Sequence, residues 1–230
     1  MFNKIKWLPI IAMVAVTACD KPVETKLSDH FVKYAVQDSN GNTVVGVRDT
    51  RDPENISVIS PECGYQDVVF NFFCFIGKKG DKFDLLDING NLIKTGDSVE
   101  TYERYVLISD QEDTFCYPFI GKLCGPADTF DYYHMADVVF AYTDDGAGVF
   151  DPTTGELMIP MSHDQIILAF DNEDEAYYIT DKGKTSRLLP NGKLRPVKTK
   201  DVRQMRKEAH YNETTWPSVG CAVVKVDSLR

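Results

Sequence analysis

The sequence predicts an all-β protein: repeated antiparallel β-meander units in a solenoid- or propeller-like array, with a short C-terminal helix. Two observations predict this. Short apolar runs recur on either side of a Gly-bearing turn, and a second Gly turn precedes most of these pairs. The clearest copy is Gly148 to Pro160, GVFDPTTGELMIP. Asp151 can accept backbone N–H groups there, Pro152 pre-sets φ, and Gly155 can take φ > 0. This suits a hairpin with a type I turn and a glycine bulge. Pro160 cannot donate to a ladder and marks the strand end.

The chain opens with an address. Lys4 and Lys6 precede an apolar run from Trp7 to Val16 and the small residues Thr17 and Ala18. A basic head, a hydrophobic segment of about 7–15 residues and a small-residue cleavage site read as a secretory signal over residues 1–18. The run is short for a bilayer span. Val16-Thr17-Ala18-Cys19 resembles the bacterial lipobox, with Val and Thr where Leu and Ser or Ala are usual. The resemblance implies cleavage before Cys19, diacylglycerol on its thiol and acylation of the new amino terminus. Asp20 resembles the inner-membrane retention signal of enteric lipoproteins. An ordinary secretory signal is the alternative.

Cleavage leaves 212 residues (230 − 18) and takes the formal charge from −10 to −12 with the loss of Lys4 and Lys6. That length suits one large domain or a repeat array. An acidic body argues against nucleic acid and against electrostatic docking on anionic lipid. Membrane association is then expected through the lipid anchor alone, with the body facing the periplasm.

Residues 19–28 read as a lipidated tether, polar and with little to bury. The repeats follow over residues 29–198. Phe31, Tyr34 and Val36 lead into Asp38-Ser39-Asn40-Gly41, then Thr43 to Val45. Phe83, Leu85 and Leu86 lead into Asp87-Ile88-Asn89-Gly90, then Leu92 and Ile93. Leu188 and Leu189 lead into Pro190-Asn191-Gly192, then Leu194. Aligned with Gly155, the glycines lie 49 (90 − 41), 65 (155 − 90) and 37 (192 − 155) residues apart. The long gap has room for a degraded copy, with Tyr105 to Ile108 and Phe115 to Tyr117 around Asp110 to Asp113. Earlier turns at Gly77 to Gly80, Asp144 to Gly146 and Asp181 to Gly183 make each unit a three-strand meander. Such a unit cannot bury its apolar face alone and is expected to stack on its neighbours.

Lys82 to Asp87 with Gly90, and Gly148 to Asp151 with Gly155 and Pro160, resemble the WG-repeat family of bacterial proteins. His163-Asp164 stands in that family's Tyr-Asp place, and Tyr65-Gln66-Asp67 and Phe130-Asp131 open other units. Phe83 and Ala147 replace the name-giving Trp, and Leu189 replaces the acid of the last copy. The resemblance implies repeated β structure and binding roles, with no common activity.

Residues 199–230 read as a cap: a surface helix over Asp201 to Glu213 begun by Asp201, a break at Trp216-Pro217, and a strand from Cys221 to Val226. Export places the cysteines in an oxidising compartment. Short loops then suggest Cys63–Cys74 and Cys116–Cys124 disulfides, with Cys221 left over; buried free thiols are the alternative.

No catalytic residue, cofactor site or metal site stands out. The histidines share no ligand spacing, and GxxxxGK[ST] and GxSxG are missing. The Asp38 and Asp87 loops have a calcium-like look but place Gly fourth rather than sixth and lack the distal Glu. Asp171 to Glu175 is an acidic loop. The expectation is a non-catalytic envelope lipoprotein binding a protein or glycan. The alternatives are an envelope hydrolase using carboxylates and a small-ligand or cation binder.

Overall fold

The computed structural model describes residues 23–52, 54, 56–133, 137–170, 175–198, 200–201, 203, 210–211 and 220–225. The fold is all-β, with five sheets in repeated units. The chain divides into two compact units, Met1–Phe119 and Ile120–Arg230.

In the first unit, β1 (Glu24–Lys26), β2 (Phe31–Gln37), β3 (Thr43–Asp49) and β4 (Ser57–Ile59) form one antiparallel sheet in chain order. The second sheet is β5 (Asp67–Asn71), β6 (Cys74–Lys79), β7 (Lys82–Leu86) and β8 (Leu92–Gly96). The third contributes β9 (Ser98–Thr101), β10 (Tyr105–Asp110) and β11 (Asp113–Pro118), in the interval where a degraded copy was expected. The first two sheets stack through Phe31, Val45, Val47, Ile59, Val68, Phe75 and Leu86. Phe31, Phe70 and Phe75 meet with ring centroids 4.9–5.0 Å apart, in the tilted and edge arrangements that aromatic quadrupoles favour.

In the second unit, β12 (Cys124–Ala127) is followed by the fourth sheet: β13 (Thr129–Tyr133), β14 (Val138–Thr143), β15 (Gly146–Phe150) and β16 (Leu157–His163). Every residue of β15 and nearly all of β14 are buried. This explains why both read as continuous apolar runs rather than alternating ones. The fifth sheet is β17 (Gln165–Phe170), β18 (Glu175–Asp181), β19 (Lys184–Leu188) and β20 (Leu194–Pro196). It is extended beyond β17 by β22 (Gly220–Lys225) and β21 (His210–Tyr211). Val138, Phe140, Val149, Ile159, Ile166, Leu168 and Ile179 form the core between the fourth and fifth sheets.

Four expectations are corrected. The complete units have four strands rather than three, because β5, β13 and β17 each add a first strand ahead of the recognised turns. The tether is shorter than residues 19–28: Glu24–Lys26 is a strand, paired with β2 and held by an ion pair from Glu24 to Arg48 on β3. The Gly41 turn joins the second and third strands of its sheet, whereas Gly90, Gly155 and Gly192 join the third and fourth, which explains the 49-residue step, while the third sheet fills the 65-residue one. Of the expected helix from Asp201 to Glu213, Asp201 and Arg203 are helical, His210–Tyr211 is a strand, and the rest lies outside the described residues. The expected final strand is β22, running parallel to β17.

The turns explain the repeat. Gly155 has φ +76, its N–H donates to the Asp151 carbonyl at 2.8 Å, and Asp151 Oδ1 accepts from the N–H of Thr153 at 2.8 Å. β15 and β16 pair with register shifts, as a bulged hairpin should. A second device recurs at the other hairpin of each sheet. Gln66 Oε1 accepts from the Gly80 N–H at 3.1 Å, Asp97 Oδ2 from Gln111 at 3.0 Å, Asp128 Oδ2 from Asp144 at 3.0 Å and Asp164 Oδ2 from Lys182 at 2.5 Å. Each acceptor precedes the first strand of its sheet and holds the turn between the second and third. The first sheet's turn holds itself through Asp38.

Candidate functional site

The strands of the first unit define two ends. At one lie the links β1–β2, β3–β4, β5–β6, β7–β8 and β9–β10. At the other lie the tight hairpins β6–β7 and β10–β11. The first end carries Ile56, Phe72, Ile88, Leu92 and Phe119, all exposed. Val23 and Val36 are the remaining exposed large apolar residues described in this unit.

Phe72 is the most prominent, 75 % exposed in the two-residue turn between β5 and β6, with φ +52. That region disfavours a bulky side chain, so the turn holds the ring in water at a conformational cost. Beneath it, Phe73 is buried edge-on against Phe119 at 5.4 Å and near Tyr117 at 5.9 Å. Asn71 Nδ2 donates to the Tyr102 carbonyl at 3.4 Å, and the Tyr102 and Tyr105 rings stack at 4.3 Å. Burial pushes the Tyr102 phenol up to about 12, helped by its hydrogen bond to Glu100. Phe73, Tyr117 and Phe119 thus form an aromatic cluster beside the turn that exposes Phe72.

The carboxylates singled out in the sequence face inward to their own turns. Asp38 Oδ1 accepts from the N–H of Asn40 and of Asn42, both at 2.8 Å, and Oδ2 from Asn42 Nδ2 at 3.1 Å. Asp87 repeats the pattern with Asn89 and Asn91 at 2.8 Å. Oxygens surrounded by donors suit a turn rather than a cation. Among the described residues no group of three His, Cys, Asp or Glu is placed to hold a metal ion. The acidic stretch from Asp171 to Glu175 lies almost wholly outside the described residues.

One pairing was missed by sequence reasoning. His163 Nδ1 lies 3.0 Å from Asp181 Oδ2, and Asp181 Oδ1 accepts from the Asp164 N–H at 3.3 Å. The partners are 18 residues apart on different strands, with no local motif to announce them. They brace the turn from β16 to β17 against the end of β18. Similarly, Tyr65 lies over Gly77 and its hydroxyl donates to Asp84 Oδ2 at 2.8 Å, while Thr95 donates to Oδ1 at 2.5 Å. Burial, with the Asp84 carboxylate, pushes the Tyr65 phenol up.

Cys19 and Asp20 lie outside the described residues. No disulfide is seen among Cys63, Cys74, Cys116 and Cys124, contrary to expectation. Cys63 is exposed at the end of a 3₁₀ turn, Pro61–Cys63, whereas Cys74 is wholly buried on β6. Cys116 is buried on β11, and Cys124 Sγ is turned to the Lys122 carbonyl at 3.5 Å. Burial pushes the Cys74 and Cys124 thiols up to about 12. No described helix is long and apolar enough to cross a membrane.

No family model matches the chain, and no curated protein matches it. Among solved structures, Kluyveromyces lactis Hsv2 is 13% identical with a TM-score of 0.28, covering 72% of this chain and 60% of that one. Hsv2 of Kluyvelomyces marxianus is 16% identical with a TM-score of 0.26, covering 69% and 59%. A eukaryotic initiation factor is 10% identical with a TM-score of 0.24, covering 72% and 52%. The chain thus spans less than two thirds of the length of each, and likenesses at these scores carry no functional argument.

Proposed function

We propose that this chain is a bacterial envelope lipoprotein, anchored through Cys19, whose β-repeat body is a non-catalytic surface for a protein or glycan partner. The observation that carries the reading is the apolar end of the first unit. Large apolar side chains stand in water there, Phe72 beside a packed aromatic cluster, while many carboxylates that a hydrolase would aim at substrate are bonded to backbone N–H groups of turns. The resemblance of the turns to WG repeats supports a binding role. The lipobox-like Val16-Thr17-Ala18-Cys19 supports the anchor, and Asp20 supports inner-membrane retention with the body in the periplasm.

The test is site-specific photocrosslinking in living cells. A photoreactive phenylalanine at position 72 should yield a discrete adduct, and the same group at Val36 should not. Equal adducts from both positions, or none from position 72, would remove the binding reading.

A further inference from the structure

We infer that the loop end carrying Phe72 is a docking surface for a basic amphipathic peptide segment of an envelope protein. The inference rests on the lipoprotein reading and specifies its partner.

Charge indicates which partner. Asp52, Glu54 and Glu103 stand in the loops that frame the apolar side chains. Arg51 lies in the same loops, but its guanidinium is held by Asp49 at 2.6–3.2 Å, and Lys26 beside the β1–β2 link is held by Asp29 at 2.7 Å, so Arg104 is the opposing cation of the β9–β10 link. An apolar patch rimmed by carboxylates complements a segment that alternates Lys or Arg with large apolar residues. Such a rim repels anionic lipid headgroups and acidic glycans. A neutral glycan would stack on aromatic faces without using the rim.

The test uses the mature chain and three defined probes: a twelve-residue Lys/Leu/Phe peptide, the same peptide with Glu for Lys, and chitohexaose. The Lys peptide should bind, and its affinity should fall steeply with salt. Phe72→Gly should lower that affinity at least tenfold while raising the melting temperature, because Gly accepts positive φ without strain. A surface residue with only a structural role would not show these opposite shifts. Glu54→Lys with Glu103→Lys should weaken binding and flatten the salt dependence, and Val36→Ser should leave both unchanged. Equal binding of the Glu peptide, no binding of the Lys peptide, or full binding by Phe72→Gly overturns the inference. Binding of chitohexaose alone overturns it too and leaves the lipoprotein reading standing. That reading fails separately, if Cys19 carries no lipid.

Discussion

Alanine in place of Gly41 or Gly90 separates the cost of a backbone angle from the cost of a contact between sheets. The two turns are nearly the same object. Gly41 has φ +80 and Gly90 φ +82, and each N–H donates to the Asp three residues earlier at 3.0 Å. In both, the Asp carboxylate binds the same two following N–H groups. Their surroundings differ. A Cβ on Gly41 meets nothing within 4 Å, whereas a Cβ on Gly90 runs into the Val58 carbonyl of β4 and comes within 3.3 Å of Ile59 Cγ1. An L-residue in the left-handed region costs roughly 1–2 kcal/mol, and this applies to both. Forcing atoms into a packed contact adds about 1–3 kcal/mol at Gly90 only. Gly41→Ala should therefore lose about 1–2 kcal/mol and Gly90→Ala about 2–5 kcal/mol. For a chain of this size, each kcal/mol lowers Tm by roughly 2–4 °C. Asparagine adds a control, because it tolerates the left-handed region. Gly41→Asn should recover much of the loss, and Gly90→Asn should not. Urea and thermal unfolding of the four variants decide it. Equal losses at the two sites would refute the stacking of the second sheet's turn on the first sheet.

Two further predictions concern titratable groups. Iodoacetamide at about pH 8 should alkylate Cys63 in the native protein and spare Cys74 and Cys124, whose buried thiols stay protonated; peptide mapping that finds Cys63 bridged to Cys74 would contradict the structure. Hydrogen bonds from Asn42 to Asp38 and from Thr153 to Asp151 hold these carboxyls below their ordinary value of 3.8. A folded value below the unfolded one means stability that is complete above the unfolded value and lost as pH falls through the folded one. Tm should hold down to about pH 5 and fall below about pH 4, less steeply in Asp38→Asn and Asp151→Asn. A Tm that rises on acidification in that window would contradict the turn geometry.

The local part of the fold was legible because turns are local. Asp151, Pro152 and Gly155 announce a hairpin by themselves, and Gly41, Gly90 and Gly192 all have the positive φ expected of them. What depends on distant partners was hidden. Asp97 and Asp128 hold turns of their own sheets from 14 and 16 residues away, and nothing in their neighbours marks them as such. The Asp38 turn resembles the Asp87 turn in sequence yet occupies another place in its sheet, so alignment on glycines set the wrong phase. β1 was hidden because the exposed Glu24, Thr25 and Lys26 carry no apolar pattern, and ladder bonds with the Glu24–Arg48 ion pair hold them. Of the candidate site, Phe72 and Phe73 look alike in sequence. Only the turn geometry exposes the first and buries the second.

The proposed function requires a lipid-anchored chain that begins at Cys19. Intact-mass measurement of the protein purified from bacterial membranes tests it most directly. The predicted result is a polypeptide starting at Cys19 with diacylglycerol on its thiol and an acyl group on its amino terminus, and no such species from Cys19→Ser. A mature chain without acyl groups, or one cleaved at another residue, would contradict the claim.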